Sequence, residues 1–157
     1  MKKKIKKWFP LIVSIAVCQS AGGIGALATN QSVQTWYQEL NKPSFSPPDW
    51  IFGPVWTLLY LLMGVALFLL WQKKEKTSIA IIFFGIQLIL NSLWSIIFFG
   101  WHSPLFALGE IIFLEIAILT TIILAWRQSR PAAILLLPYL LWVGFATVLN
   151  WQIYLLN

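Results

Sequence analysis

The chain has 157 residues, of which 59% are hydrophobic and only 10% are charged. Soluble domains carry about a quarter charged residues, so this composition excludes an ordinary soluble protein and is typical of one embedded in a membrane. The net charge of +6 lies in short clusters between long apolar runs, which argues against a nucleic-acid-binding face.

The first predicted element is a membrane-spanning helix at about residues 8–28, which follows a run of lysines. This start resembles a secretory signal peptide, but the apolar run of about 20 residues is long for a signal core and long enough to cross a bilayer. We therefore expect it to stay in the protein. Gln19 and Ser20 need an internal partner or a polar cavity. The small residues of the helix favour close packing against another helix, or could line a pocket: Ala16, Gly22, Gly23, Gly25 and Ala26.

The segment between the first two helices, residues 29–53, is predicted to be a lid because it combines prolines with aromatic residues. Pro43, Pro47 and Pro48 fix φ and lower the entropy that the segment loses when it becomes ordered. Large aromatic side chains can then be held still over an apolar pocket. An interfacial aromatic belt that anchors helix ends is the alternative. The aromatic residues here are Trp36, Tyr37, Phe45, Trp50, Phe52 and Trp56.

Four further apolar segments are each near the ~20 residues that a membrane-spanning helix needs. Their predicted bounds are 54–71, 79–99, 105–126 and 132–156, and Pro138 is expected to kink the last one. The sequence therefore predicts an all-α integral membrane protein, in which residues 1–157 form one five-transmembrane-helix bundle with an ordered lid between helices 1 and 2.

The basic residues predict how this bundle is oriented. With five spans, the N-terminus and the second and fourth loops share one side of the membrane. All of the 11 Lys and Arg residues except Lys42, in the lid, lie on that side. The positive-inside rule then places the N-terminus in the cytoplasm and the lid and the C-terminus outside.

Polar side chains inside the apolar segments should face the bundle interior or a cavity, because they cost free energy in hydrocarbon. In the third and fifth helices such residues recur at spacings of three and four, so each set lies on one face. A flat aromatic ligand would fit beside Ala146, the small residue in the second set, whereas interhelical hydrogen bonds are the alternative role of the polar members. The sets are Gln87, Asn91, Trp94, Ser95 and Phe98, and Tyr139, Trp142, Ala146, Leu149, Asn150 and Ile153.

The remaining polar residues suggest little catalytic chemistry. Glu110 and Glu115 are five residues apart in the fourth helix, so they do not form a paired-carboxylate site; Glu115 is expected to be neutral or hydrogen-bonded near mid-membrane, with a proton relay as the alternative. His102 is typical of a loop residue, although it could be an axial haem ligand. A single cysteine, Cys18, excludes an internal disulfide. No hydrolytic triad, phosphate loop or metal-ligand spacing is present in the sequence.

The lid and the third and fifth helices together resemble the TspO/MBR family of tryptophan-rich sensory proteins, which are related to the mitochondrial translocator protein. The resemblance covers essentially the whole chain. It rests on Gln-Leu-Ile-Leu-Asn-Ser-Leu-Trp at 87–94, on Pro-Tyr-Leu-Leu-Trp-Val-Gly-Phe-Ala-Thr-Val-Leu-Asn at 138–150, and on the lid pattern Trp-Tyr, Leu-x-Lys-Pro, Pro-Pro-x-Trp and Pro-Val-Trp.

This resemblance implies a receptor or sensor in a bacterial cell membrane, usually a homodimer, that binds porphyrins such as protoporphyrin and synthetic aromatic ligands beneath the first loop. Transport of porphyrins or other hydrophobic small molecules is the alternative function. Some bacterial members are associated with light-dependent porphyrin breakdown, for which Trp50 and Trp142 are the candidate catalytic indoles. The implied ligand-binding residues are Ala26, Trp50, Phe52, Asn91, Trp94, Trp142, Ala146 and Leu149.

Three departures from the family pattern bear on the ligand. Phe45 stands where the lid commonly has Trp, and Phe106 stands where animal relatives have Trp, so ligand affinities should differ. The sterol-associated pattern near Tyr154 lacks its basic residue, which weakens the expectation that this chain binds cholesterol.

Overall fold

The described part of the chain forms five long helices, with a single-turn helix between the first two. The structure, a computed structural model, describes residues 2–73 and 79–157, with side chains from Trp8 onwards. Each long helix in this part of the chain is long and apolar enough to cross a membrane, which agrees with the predicted integral membrane bundle. The helices are α1 (Lys2–Ser32), α2 (Trp36–Glu39), α3 (Phe52–Trp71), α4 (Ile79–Ser95), α5 (Pro104–Gln128) and α6 (Arg130–Leu156).

Helix ends differ from the predicted bounds in two informative places. α1 continues to Ser32 instead of ending near residue 28, so the first residues of the predicted lid are helical. α4 ends in a π-helical turn, Ile96–Gly100, which widens the last turn and rotates the side chains that follow it. As a result, Phe98 and Phe99 both face Tyr37 of α2.

The long helices are arranged in a closed ring in the order α1, α3, α6, α5, α4. Each neighbouring pair in this ring is in contact, and α5 packs against α4 and α6. The half of the bundle that lies farther from α2 is filled by side chains that are almost completely buried. These include Cys18, Met63, Leu70, Phe84, Ile118 and Leu136.

Two glycines allow α1 and α3 to approach each other closely. A Cβ atom at Gly64 would lie 2.6 Å from the Cα atom of Ile15, and because that is a backbone atom, no side-chain rotation could relieve the overlap. A Cβ atom at Gly22 would lie 2.4 Å from the ring of Tyr60. The close-packing interpretation of the small residues is therefore confirmed for Gly22.

The lid and the C-terminus lie at one end of the bundle, as predicted, and three basic residues lie at the other end. The backbone N–H of Asn41 donates to Oδ1 of Asn157 over 2.9 Å, so the lid and the C-terminus lie at the same end. Lys73, Arg127 and Arg130 lie at the opposite end. Lys74, Lys76 and the side chains of residues 2–7, which also entered the orientation prediction, lie outside the described part of the chain. Which end faces the cytoplasm stays a prediction.

The close approach at Gly64 can be tested by adding one methyl group. We expect Gly64→Ala to destabilise the bundle by about 1–3 kcal/mol, because the new Cβ atom overlaps backbone. The control is Gly109→Ala, since a Cβ atom at Gly109 meets nothing within 4 Å. Thermal unfolding in detergent, followed by tryptophan fluorescence, should give a lower apparent Tm for the first variant only. Equal Tm values for the two variants would contradict this packing.

Candidate functional site

A cavity of about 430 Å³ lies between α1, α3, α4 and α6, directly beneath the segment that contains α2. Sites for small molecules typically measure roughly 300–1,000 Å³ and combine apolar walls with a few polar groups. This cavity has both properties. Its aromatic lining comprises Tyr37, Phe52, Trp56, Tyr60, Trp94, Phe98, Phe99 and Trp142, and its polar lining comprises Gln19, Thr29, Asp49, Thr57, Asn91, Ser95 and Asn150.

Most of the ligand-binding residues expected from the sequence lie in this wall. Ala26, Phe52, Asn91, Trp94, Trp142, Ala146 and Leu149 all line the cavity. Trp50 does not, and its side chain is 73% exposed. It belongs to a 3-10 turn, Asp49–Ile51, whose successive side chains point in different directions. Asp49 therefore faces the cavity and Trp50 faces away from it.

One wall of the cavity was missed in the sequence. Gly53, Thr57 and Tyr60 of α3 line it together with Trp56, which was expected only as an aromatic residue of the lid. Their spacings of three and four residues place them on one helical face, and this period is the signal that could have found them. By contrast, Gln87 and Tyr139, which belong to the predicted stripes, are buried and do not line the cavity.

A hydrogen-bonded triad lies at the floor of the cavity, where two of its members, Tyr60 and Asn91, line the wall. The hydroxyl of Tyr60 donates to Oδ1 of Asn91, and Nδ2 of Asn91 donates to the hydroxyl of Tyr139 over 3.0 Å. All three side chains are buried. Asn91 thus fulfils both roles considered for it, since it bonds across helices and also faces the cavity.

A second network holds the indole of Trp94 in the wall. Its Nε1 donates to Oδ1 of Asn150 over 3.2 Å, and Nδ2 of Asn150 donates to the carbonyl of Pro104 over 2.8 Å. The ring of Trp94 stacks on Phe98, with centroids 5.1 Å apart and planes 21° apart. Neighbouring side chains therefore fix the position and tilt of this indole.

The two carboxylates of α5 are not part of this wall. Glu115 accepts a hydrogen bond of 2.8 Å from the hydroxyl of Thr147, in agreement with the expectation that it is hydrogen-bonded. Glu110 is buried between helices. Neither side chain lines the cavity, so neither is placed to act on a bound molecule.

Residues 33–51, within the predicted lid, pack on the ends of α4 and α6 and contribute Val33, Tyr37 and Asp49 to the cavity lining. Tyr37 is 4% exposed, and its ring meets the edges or faces of Phe98 and Phe99 from the π-helical turn. On α6, Asn157 exchanges hydrogen bonds with Asn41, its Nδ2 donating to the carbonyl of Asn41 over 3.1 Å. The burial of Tyr37 and the hydrogen bonds to Asn157 favour a lid over an aromatic belt.

Charged groups inside the lid hold its two ends together. Nζ of Lys42 lies 4.0 Å from the centre of the Tyr37 ring and 3.6 Å from Oδ1 of Asp49, and Nε2 of Gln38 donates to Oδ2 of Asp49 over 2.6 Å. Burial raises the pKa of the Tyr37 phenol, so the ring stays neutral across physiological pH. A neutral ring can accept the lysine cation over its face.

His102 serves as a structural residue at the edge of the lid. Its ring stacks on Trp36, with centroids 4.5 Å apart, and its Nε2 lies 3.1 Å from Oγ of Ser32. Because the Ser32 hydroxyl donates to the carbonyl of Phe99, its oxygen accepts from the imidazole. His102 does not line the cavity, and the described residues contain no cluster of His, Cys, Asp or Glu that could hold a metal.

Comparison with known proteins gives matches along most of the chain. The model of the TspO/MBR family matches residues 14–156. A tryptophan-rich protein TspO of Archaeoglobus fulgidus is 48% identical over 149 residues, which cover 94% of this chain and 96% of that protein. A tryptophan-rich sensory protein of Cereibacter sphaeroides is 33% identical, with coverages of 96% and 92%. The translocator protein of Homo sapiens is 40% identical, with coverages of 76% and 73%.

The docking of the lid on α6 can be tested by removing one amide. Asn157→Ala deletes the hydrogen bonds to Asn41, each worth about 0.5–1.5 kcal/mol. We expect backbone amides of the lid around Asn41 to exchange with deuterium up to roughly tenfold faster, as followed by mass spectrometry. Asn30→Ala, at an exposed position of α1, is the control. Lid exchange that is equally slow in both variants would show that α6 does not hold the lid.

Proposed function

Because this chain belongs to the TspO/MBR family of integral membrane proteins, we propose that it is a membrane receptor or sensor for porphyrins and related planar, hydrophobic aromatic ligands. The observation that carries the proposal is the aromatic cavity of about 430 Å³, which the lid closes at its water-facing end. A flat ring system entering it gains free energy by burying apolar area and by stacking on indole and phenyl rings.

The chemistry of the lining supports a metal-free tetrapyrrole. Nitrogen and sulfur side chains that bind haem iron, namely His, Cys and Met, are absent from the residues that line the cavity. The side-chain amides of Gln19 and Asn91, which line the cavity, are uncharged and already hydrogen-bonded to other protein groups. They give the cavity a polar edge that carries no charge. Asp49 is neutralised by Lys42 at the lid. A ligand would therefore be held mainly by its apolar face.

Packing on the far side of the triad supports a receptor over a transporter. Side chains fill the bundle there, and Met63, Leu70 and Leu136 are at most 1% exposed. Transport of porphyrins or other hydrophobic small molecules is the second candidate, and the name of the human relative, translocator protein, favours it. Passage across the bilayer would require this packed half to open. Flux of protoporphyrin from loaded proteoliposomes would separate the two functions.

The orientation and assembly of the receptor are also part of the proposal. We place it in a bacterial cell membrane with its N-terminus in the cytoplasm and with the lid and C-terminus outside. The placement of the basic residues supports this orientation. The resemblance to the family supports a homodimer.

Light-dependent porphyrin breakdown is a possible activity of the same site. The indole of Trp142 lies in the cavity wall, edge to face with Phe52 at a centroid distance of 5.9 Å. In such a breakdown the bound porphyrin would be oxidised and molecular oxygen reduced, and the indole of Trp142, in contact with the macrocycle, is the candidate electron relay. Trp50, the other candidate indole, lies outside the cavity.

Binding can be tested with a matched pair of tryptophan variants. We expect protoporphyrin IX to quench the tryptophan fluorescence of the purified protein saturably. Trp142→Ala should raise the Kd roughly tenfold or more, because an aromatic anchor in a pocket contributes more than about 1 kcal/mol. Trp151→Ala, at a 52% exposed position outside the cavity, should leave the Kd unchanged. An unaltered Kd in Trp142→Ala would mean that this residue only packs.

Breakdown can be tested separately from binding. Under illumination in air, loss of the porphyrin absorption band should be several-fold slower in Trp142→Phe than in wild type, because phenylalanine is much harder to oxidise than indole. Trp50→Phe should bleach the band at the wild-type rate, since its side chain lies outside the cavity. Wild-type bleaching in Trp142→Phe would exclude this indole from the chemistry.

A further inference from the structure

The cavity wall is thin between α1 and α3. Gly23 and Ala26 of α1, and Gly53 and Thr57 of α3, line the cavity and are solvent-exposed. Elsewhere the lining residues of α4 and α6, such as Asn91, are buried behind neighbouring helices. The cavity therefore reaches the surface along one side.

The two helices are tightly packed only at greater distance from the lid. Ile15 lies against the backbone at Gly64. Two turns nearer the lid along α1, Gly22 lies against the ring of Tyr60. Both contacts are too close to admit even a methyl group. The α1–α3 interface is therefore closed between Gly64 and Tyr60 of α3.

On α3, Thr57 lies nearer the lid than Tyr60. Its carbonyl accepts a hydrogen bond of 3.1 Å from Nε2 of Gln19, and this is the last hydrogen bond that joins α1 to α3 within the described residues. Beyond it, a Cβ atom placed on Gly23 or Gly53 would meet nothing within 4 Å. The portal slot, defined by Gly23, Ala26, Gly53 and Thr57, is thus unobstructed by side chains.

The lid does not account for this opening. Through Tyr37, Asn41 and Phe45 it contacts the π-helical turn of α4 and the outer half of α6. The slot lies instead between two segments that are apolar enough to span the membrane. A slot in this position would open toward the bilayer and not toward the water above the lid.

We propose that the portal slot is a lateral gate, through which a planar hydrophobic ligand passes edge-on between the bilayer and the cavity while the lid stays closed. The identity of the ligand class rests on the function proposed above. A hydrophobic ligand is concentrated in the bilayer relative to water, so this route meets the ligand where it accumulates. The Gln19–Thr57 hydrogen bond forms the inner rim of the gate.

The gate can be tested by blocking it from both sides. Gly23→Phe and Gly53→Phe add side chains into open space, so both variants should fold. With protoporphyrin IX and proteoliposomes in the dark, we expect stopped-flow quenching and release into protein-free vesicles both to slow by about tenfold. A blocked route hinders entry and exit alike, whereas damage to the binding site would speed release. Gly109→Phe, on α5 and away from the cavity, is the matched control. Unchanged rates in both blocked variants would overturn the gate.

The alternative route through the lid can be tested in the same assay. Cysteines introduced by Asn41→Cys and Asn157→Cys, joined by a short bismaleimide, would tie the lid to α6, and buried Cys18 should not react. We expect both rates to stay at the wild-type values. A large decrease in both rates on crosslinking would show that ligands pass beneath the lid, and would overturn the gate.

A ligand-independent measurement separates the gate from the receptor proposal. A nitroxide attached through Gly53→Cys should be more accessible to membrane-dissolved oxygen than to a water-soluble nickel reagent in electron paramagnetic resonance. Greater accessibility to the nickel reagent would contradict a bilayer-facing slot. If the oxygen result holds and wild type does not bind protoporphyrin IX, the proposed ligand fails while the lateral opening stands.

Discussion

The hydrogen-bonded triad of Tyr60, Asn91 and Tyr139 is the interaction on which the rest of this bundle depends. In the bilayer interior no water can satisfy an unpaired amide, so a lone Asn91 would cost several kcal/mol. Pairing its oxygen and its nitrogen with two phenols offsets that cost and ties α3, α4 and α6 together at one depth. On one side of the triad the helices are packed with side chains, and on the other side they enclose the cavity.

The lid stays on the cavity when its contacts with α4 and α6 outweigh the conformational entropy that it loses on folding. The lid would lose conformational entropy on folding, but its prolines have already restricted the unfolded chain. Burial of Tyr37 and the contacts with Asn157 then suffice to hold it on α4 and α6. Because these contacts lie away from the α1–α3 face, the water-facing end can be shut while one side of the cavity stays open to lipid. A receptor for hydrophobic molecules benefits from both features.

The helices and much of the site could be predicted from sequence because periodicity and apolar length are local properties. Spacings of three and four placed Asn91 and Trp142 on inward faces, where the structure has them. α1 was predicted to end near residue 28, where the apolar run ends, whereas it continues to Ser32, whose hydroxyl donates to the distant carbonyl of Phe99. The outward direction of Trp50 depends on a 3-10 turn that has no clear sequence signature. Such tertiary partners and turn geometries cannot be read from a local pattern.

An experimental structure of the protein in lipid with protoporphyrin IX bound would decide whether the cavity is the receptor site. We expect the macrocycle to lie against Trp142 and Phe52, above the triad and below a closed lid. A macrocycle bound on the lipid-facing surface, with the cavity collapsed onto its own side chains, would contradict that assignment.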